Sequence, residues 1–343
     1  MPSPPLSLDI DAVSTWLAGR LPGFDSAVEV TKFETGQSNP TYGIKTPAGN
    51  YALRRKPPGI LLKSAHAVDR EFRVQSALAN TDVPVAKMYA LCEDDRVIGS
   101  AFYVMEWVEG RTFNDPAMPG IAPDQRRAIV DDMCRVLAAI HSVDLEAVGL
   151  ADYGPRGNYY RRQIDRWTKQ YRSSETETIP QMNALIAWLD ENVPPDDGRV
   201  TLVHGDYRLD NLLIAPNGYE TLAVLDWELS TLGHPFADLA AVIMQWRRPP
   251  GNVGRGLAGV DRRPLGLPED HEFIDSYCAH TGIHTIENFG FYLAFCFFRM
   301  GAILQGVKRR ALDGNASNPE RALKIGAHVP EFAISGLEAA QAG

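Results

Sequence analysis

A two-lobed α+β fold is what this sequence predicts. Short β-rich runs crowd residues 27–108, helical periodicity dominates the remainder, and Glu109-Gly110 marks the change of pattern. The boundary divides the chain into a first unit at 1–108 and a second at 109–343, with a cleft between them as the natural place for a ligand. With 343 residues, 45% of them hydrophobic, the chain has enough apolar side chains for one large core or two moderate ones. A net charge of -9 sets a general repulsion against nucleic acid and anionic membrane surfaces, so neither is expected as a partner.

The elements follow in order. Leu8, Ile10, Val13, Trp16 and Leu17 recur at helical spacing and predict a lead-in helix whose role is packing. Strands are expected at Val28 to Phe33, Thr41 to Lys45, Tyr51 to Arg55, Val85 to Leu91 and Phe102 to Val108, with a turn at Pro47-Ala48-Gly49-Asn50. One helix, His66 to Ala79, interrupts them. Beyond residue 110, helices are expected at Pro123 to His141, Tyr159 to Tyr171, Gln181 to Asn192, Phe236 to Trp246, Asp270 to Thr281 and Thr285 to Arg309. Short strands are expected near Thr201 to Val203, Leu212 to Ile214 and Ala223 to Leu225. Arg247 to Glu269 lacks periodicity and reads as a long surface loop.

The apolar stretch Phe289 to Val307 is broken by Arg299 and Gln305, which argues for a buried helix over a membrane span. Cys92, Cys134, Cys278 and Cys296 show no metal-ligand spacing, as expected of reduced thiols. The opening Met-Pro-Ser-Pro-Pro has neither the basic start nor the apolar run of a secretory signal, so a cytoplasmic location is expected.

Chemistry concentrates in two stretches, Leu202-Val203-His204-Gly205-Asp206-Tyr207-Arg208-Leu209-Asp210-Asn211 and Val224-Leu225-Asp226-Trp227-Glu228. Phosphoryl transfer to an alcohol needs a carboxylate in reach of the attacking hydroxyl and oxygen ligands that hold Mg²⁺ against nucleotide phosphates. Asp206, Asn211 and Asp226 supply such groups, and Arg208 beside Asp206 is a further catalytic candidate. A strand ending at His204 and a short hairpin carrying Asn211 and Asp226 would bring them to one edge of the cleft.

These motifs resemble those of the aminoglycoside phosphotransferase and choline kinase-like superfamily, whose catalytic loop reads His-Gly-Asp followed by Asn. The resemblance implies a protein-kinase-like fold and the cofactors ATP and Mg²⁺. It makes Asp206 the general base, Asn211 and Asp226 the magnesium ligands, and His204 an internal brace. Gly233-His234-Pro235-Phe236-Ala237-Asp238 is similar to a family segment in which Asp is common at the place of His234, and there Asp238 would grip the catalytic loop.

In the first unit Gly36, Ser38 and Asn39 sit in a small-residue turn where backbone amides could approach phosphates. By the same resemblance Arg54, where most kinases have Lys, pairs with Glu71 and holds phosphates, while alternation along the strand leaves open whether Arg54 or Lys56 points inward. Met105, Glu106 and Val108 would receive adenine, the last two through main-chain atoms. The run Leu53-Arg54-Arg55-Lys56-Pro57-Pro58-Gly59 and Ala65-His66 look like the kinase-like domain associated with acyl-CoA dehydrogenases.

The expected substrate is a hydroxylated small molecule. Arg156, Arg161, Arg162, Arg166, Lys169 and Arg172, and then Arg247, Arg248, Arg255, Arg262 and Arg263, favour an acceptor bearing carboxylate or phosphate over a polycationic aminoglycoside. The resemblance to the domain associated with acyl-CoA dehydrogenases points towards hydroxy acids or their CoA thioesters; the alternatives are an aminoglycoside acceptor and a nucleotide-binding regulator without turnover.

Overall fold

The structure, a computed structural model, describes residues 8–24, 29–33, 39–57, 67–316 and 318–342. The first unit opens with helix α1 (Ile10–Leu17), capped by the Asp9 side chain, which accepts from the Ala12 amide at 3.0 Å. Strands β1 (Glu29–Lys32), β2 (Thr41–Thr46), β3 (Gly49–Arg55), β4 (Met88–Cys92) and β5 (Phe102–Glu106) form one antiparallel sheet in the order β1-β2-β3-β5-β4. Val13 and Leu17 of α1 are buried with Tyr42, Ile44, Leu53, Phe102 and Val104, so the lead-in helix closes one face of this sheet. Alternation along β3 sends Tyr51 and Leu53 into that core and Arg54 to the other face.

Helix α2 (Val68–Leu78) covers the second face and joins the two units. Its Val74 and Leu78 belong to the larger core with Val130, Met133 and Leu137. After β5 the chain crosses over through Gly110, where a Cβ atom would lie 2.8 Å from the Ile214 carbonyl oxygen. Arg111 and Ile214 then exchange backbone hydrogen bonds of 2.8 and 2.9 Å. The crossing is thereby fixed against the hairpin that carries the site.

The second unit contains α3 (Pro123–His141), α4 (Tyr159–Ser174), α5 (Pro180–Glu191) and the short strands β6 (Thr201–Val203), β7 (Leu212–Ile214), β8 (Thr221–Val224) and β9 (Thr231–Gly233). Strands β7 and β8 pair as a hairpin, and β6 pairs with β9. The remaining helices are α6 (Phe236–Trp246), α7 (Gly251–Gly254), α8 (Asp270–Thr281), α9 (Phe289–Leu312), α10 (Pro319–Gly326) and α11 (Val329–Gln341). By length and composition α9 could cross a membrane, but 67% of its most apolar window is buried within the protein, where it packs on α4, α6, α10 and α11.

Several boundaries differ from the sequence expectation for identifiable reasons. Helix α9 starts at Phe289 because Asn288 adopts a left-handed conformation, φ 53°, that stops helix propagation toward Thr285. Strand β4 begins at Met88, although Lys87 still accepts from the Glu106 amide at 2.8 Å. The stretch 247–269 is folded and packed. It holds α7 and a 3₁₀ turn at Arg263–Leu265, and it buries Leu257, Leu267 and Arg262, the last against Asp270 at 2.7 Å. Expectations at Gly36, Ser38 and His66 lie outside the described residues.

Candidate active site

The site begins where β6 ends. His204 and Gly205 donate their backbone N–H groups to the two oxygens of Asp238, at 2.6 and 2.9 Å, and all three residues are buried. Gly205 has φ +84°, and a Cβ there would meet the Leu229 carbonyl oxygen at 2.7 Å, so glycine is required by conformation and by space. The fully buried His204 donates from Nε2 to the Leu225 carbonyl at 2.9 Å and accepts the Asp206 amide on Nδ1 at 3.3 Å. One imidazole therefore ties the loop presenting Asp206 to the strand end that presents Asp226.

Asn211 lies at the start of β7. Its Nδ2 donates to the main-chain oxygen of Asp206 at 2.8 Å and to the Asp206 carboxylate at 3.2 Å. Its carbonyl accepts the Leu225 amide at 2.8 Å, which places Asn211 beside the residue preceding Asp226. Arg208 Nε stands 3.5 Å from Asp206 Oδ1 and 3.0 Å from Asp210 Oδ1. Burial raises the Asp206 carboxyl above its ordinary range, against the opposing pull of Arg208 and His204.

Asp226 itself sits in the left-handed region at φ 64°, a conformation unusual for a residue other than glycine. Its Oδ1 accepts Arg54 Nη2 at 2.7 Å, and the same guanidinium has Nε 2.9 Å from Glu71 and Nη2 4.0 Å from Glu228. Arg54 is thus the inward cation of β3. Glu71 is buried at 1% exposure and accepts from Asn39 Nδ2 at 2.7 Å and from the Tyr103 hydroxyl at 3.1 Å. Burial, with Asp226 and Glu228 adding to it, pushes the Glu71 carboxyl up to about 7 against the pull of Arg54. Three carboxylates around one guanidinium leave an excess of negative charge suited to a cation.

The sequence-derived candidates Asp206, Arg208, Asn211, Asp226, Arg54 and Glu71 are brought together here. Asn39 is fully buried, and its side chain braces Glu71. Met105 is half-buried on β5. Glu106 commits its amide to Lys87 O at 2.8 Å, and its carboxylate accepts the Lys87 amide at 3.3 Å. Val108 lies in the crossing segment.

The arginines of α4 and its approach are a correction to the charge argument. Arg156 pairs with Glu146, Arg161 with Asp165 and Asp190, and Arg172 with Glu175, so those positive charges are compensated at the surface. Arg162 donates to the Pro155 and Arg156 carbonyls. Two of these pairs, Arg161–Asp165 and Arg172–Glu175, are one helical turn apart, whereas the Arg161–Asp190 pair is set by the packing of α4 on α5, which the sequence does not display.

Three supporting residues escaped the sequence reading. Arg299, the one charge within the apolar stretch Phe289 to Val307 of α9, donates to the Gly205 carbonyl at 2.9 Å; its isolation there was the signal available. His141 has Nε2 3.4 Å from Asp238 and Nδ1 2.7 Å from the Tyr277 hydroxyl. Glu228 stood in the quoted motif without a role. His234 also acquires one: its Nδ1 accepts the Phe236 amide at 3.3 Å at the start of α6, the capping task an aspartate performs, while Nε2 faces Asp197 at 3.3 Å. Burial lowers its pKa and keeps it neutral.

Asp238→Ala would leave two buried amide donors without their acceptor, an expected loss of roughly 2–6 kcal/mol of stability. Burial raises the Asp238 carboxyl, but its hydrogen bond to His141 and the charges of His141 and His204 bring it below the ordinary range. A depressed carboxyl stabilises the fold above the unfolded-state value and loses that contribution as pH falls through the folded-state value. Denaturant titrations should accordingly show the wild-type advantage over Asp238→Ala shrinking in acid; a pH-independent difference would contradict the brace.

A five-stranded β unit joined to a helical unit, with the loop and hairpin at their junction, is the architecture of a protein-kinase-like α+β fold. A thermostable mutant of aminoglycoside phosphotransferase APH(4)-Ia, solved with AMP-PNP and hygromycin B, superposes with TM-score 0.63 over 96% of this chain and 98% of that one, a likeness of fold at 15% identity. The phosphotransferase enzyme family profile matches residues 29–274, and the chain belongs to that family. A Ralstonia eutropha JMP134 crystal structure, described provisionally as an aminoglycoside phosphotransferase, is 48% identical with TM-score 0.90, covering 98% of this chain and 99% of that one.

Among curated proteins, acyl-CoA dehydrogenase family member 10 of Mus musculus is 48% identical over 91% of this chain and 29% of its own length. The probable acyl-CoA dehydrogenase IBR3 of Arabidopsis thaliana is 44% identical over 96% of this chain and 42% of its own. The chain therefore spans less than half the length of these relatives.

Proposed function

We propose that the chain transfers the γ-phosphoryl group of ATP to a hydroxyl of a small anionic molecule, with Mg²⁺ as cofactor. The observation that carries this reading is the junction itself: Asn211 bonds Asp206, its carbonyl holds Leu225, and the next residue, Asp226, receives Arg54 from the other unit. Asp206 accepts the acceptor hydroxyl's hydrogen bond and takes its proton during attack. Asn211 orients that carboxylate, and Arg208 balances its charge. Arg54, held by Glu71, faces the nucleotide phosphates, where a guanidinium binds bidentately. Met105 and the main chain of Glu106 and Val108 line the adenine end.

The donor set suits magnesium. Asn211 points its Nδ2 at Asp206, which turns its amide oxygen the other way, and Asp226 offers a carboxylate; both are hard oxygen donors. When bound, the ion neutralises charge on the transferring phosphates. Asn211 and Asp226 would hold it.

The relatives named acyl-CoA dehydrogenase family members direct the acceptor search to acyl chemistry, hence to hydroxy acids and hydroxyacyl-CoAs. A panel of these and of aminoglycosides, incubated with ATP and Mg²⁺, should give phosphate esters of the acids only. Turnover of aminoglycosides without turnover of the acids would refute the anionic acceptor.

A further inference from the structure

We propose that Arg208, Arg248 and Arg255 form a second cationic site beside Asp206 that binds an oxyanion, carboxylate or phosphate ester, carried by the acceptor. The inference rests on the phosphotransferase reading and adds to it the residues that select the substrate.

The arginines flagged in the sequence meet different partners in space. On α4 and its approach, Arg156, Arg161 and Arg172 pair with carboxylates, as described above. Arg247 and Arg262 share Asp270, at 2.8 and 2.7 Å. Arg255 instead reaches the catalytic loop, because the chain doubles back after α6: the Leu257 amide bonds Trp246 O at 2.7 Å, and the Ala258 amide bonds Arg248 O at 3.0 Å. Arg255 Nη1 then reaches Asp210 Oδ2 at 3.1 Å, while Arg208 Nε is 3.0 Å from Asp210 Oδ1. Asp210 is clamped between two guanidiniums, each through a single nitrogen, and a guanidinium carries five N–H donors.

Arg248 is oriented by Gln245 Oε1 at 3.1 Å and by the Phe332 ring, 5.2 Å away. Gln245 lines the same cleft as Arg208 and Arg255, which brings Arg248 to its edge; burial first, and then the charges of Arg208 and Arg255, depress the Arg248 pKa. Asp210 and Asp206 are the carboxylates at this cluster, and Asp206 is reserved for the acceptor hydroxyl. A small cleft, mostly apolar in its lining, opens beside it, and Asn114, Arg208, Asp210, Gln245 and Arg255 form its polar wall. The site is separate from the nucleotide cation, since Arg54 comes from the first unit and contacts Glu71 and Asp226. An acceptor whose hydroxyl meets Asp206 would find a receptor for its own negative group here, and a polycation would be repelled.

The test titrates the full chain, saturated with Mg²⁺ and AMP-PNP, with acetate and separately with methyl phosphate, read by saturation-transfer NMR. At least one probe should occupy a single saturable site. Arg248→Gln and Arg255→Gln should each weaken it roughly tenfold or more, the scale of a charge-assisted hydrogen bond, with AMP-PNP affinity and melting temperature retained. Acetate binding alone assigns a carboxylate and methyl phosphate binding alone a phosphate ester; either supports the site. No binding of either probe to wild type, or undiminished binding in both variants, overturns it. Failure of AMP-PNP to bind would instead refute the phosphotransferase reading, and the same titrations on the nucleotide-free chain would still decide the anion site.

Discussion

Asp206→Asn is expected to lower turnover roughly a hundredfold to ten-thousandfold, the usual cost of losing a positioned base, while Mg-dependent nucleotide binding persists. Asparagine keeps the shape of the side chain, and the Asn211 bond to the main-chain oxygen of residue 206 does not depend on the carboxylate. What disappears is the group that takes the hydroxyl proton. Because burial raises the Asp206 carboxyl, wild-type activity should climb with pH through a range above that of a free aspartate, as the base becomes ionised. A single-turnover rate and a nucleotide titration on the same two proteins separate the effects. Normal turnover in Asp206→Asn would remove the base assignment.

Asp226→Ala should go further and abolish magnesium-dependent nucleotide binding. The substitution removes a proposed ion ligand and also the carboxylate that receives Arg54 at 2.7 Å, so both the cation and the phosphate-facing guanidinium lose their anchor. Alanine, like the native aspartate, bears the left-handed strain of φ 64°, about 1–2 kcal/mol. Asp226→Gly avoids that cost and should show the same binding defect with less loss of stability. AMP-PNP titrations with and without Mg²⁺ measure the difference; equal weakening by Asp226→Ala and Asp206→Asn would contradict the separate roles.

What could be read from the sequence was what lies close together in it. The bounds of α3, α6 and α8 match the sequence expectation, since each has a clear local start or stop: Pro123 opens α3, Pro235 precedes α6, and a Glu269–Glu272 capping box and Gly282 bound α8. His204, Asp206, Asn211 and Asp226 share one loop and one hairpin, so their convergence followed from local geometry. The side-chain bond of Asn39 to Glu71 was not legible because the two are 32 residues apart and nothing local marks a brace. The same limit applies to the arginines: Arg161 and Arg255 look alike in sequence, yet one meets Asp190 and the other Asp210 beside the catalytic loop. Strand β9 is three residues long and carries no periodic signal. In 247–269 the order comes from hydrogen bonds back to α6 and from buried Leu257 and Leu267, which glycine- and proline-rich composition conceals.

Phosphorus NMR of the chain incubated with ATP, Mg²⁺ and the hydroxy-acid and hydroxyacyl-CoA panel tests the central claim most directly. The account predicts a new phosphate monoester resonance growing as the γ-phosphate resonance of ATP declines, and neither change in Asp206→Asn. Stable ATP with no monoester formed from any acceptor, in protein that still binds the nucleotide, would contradict it.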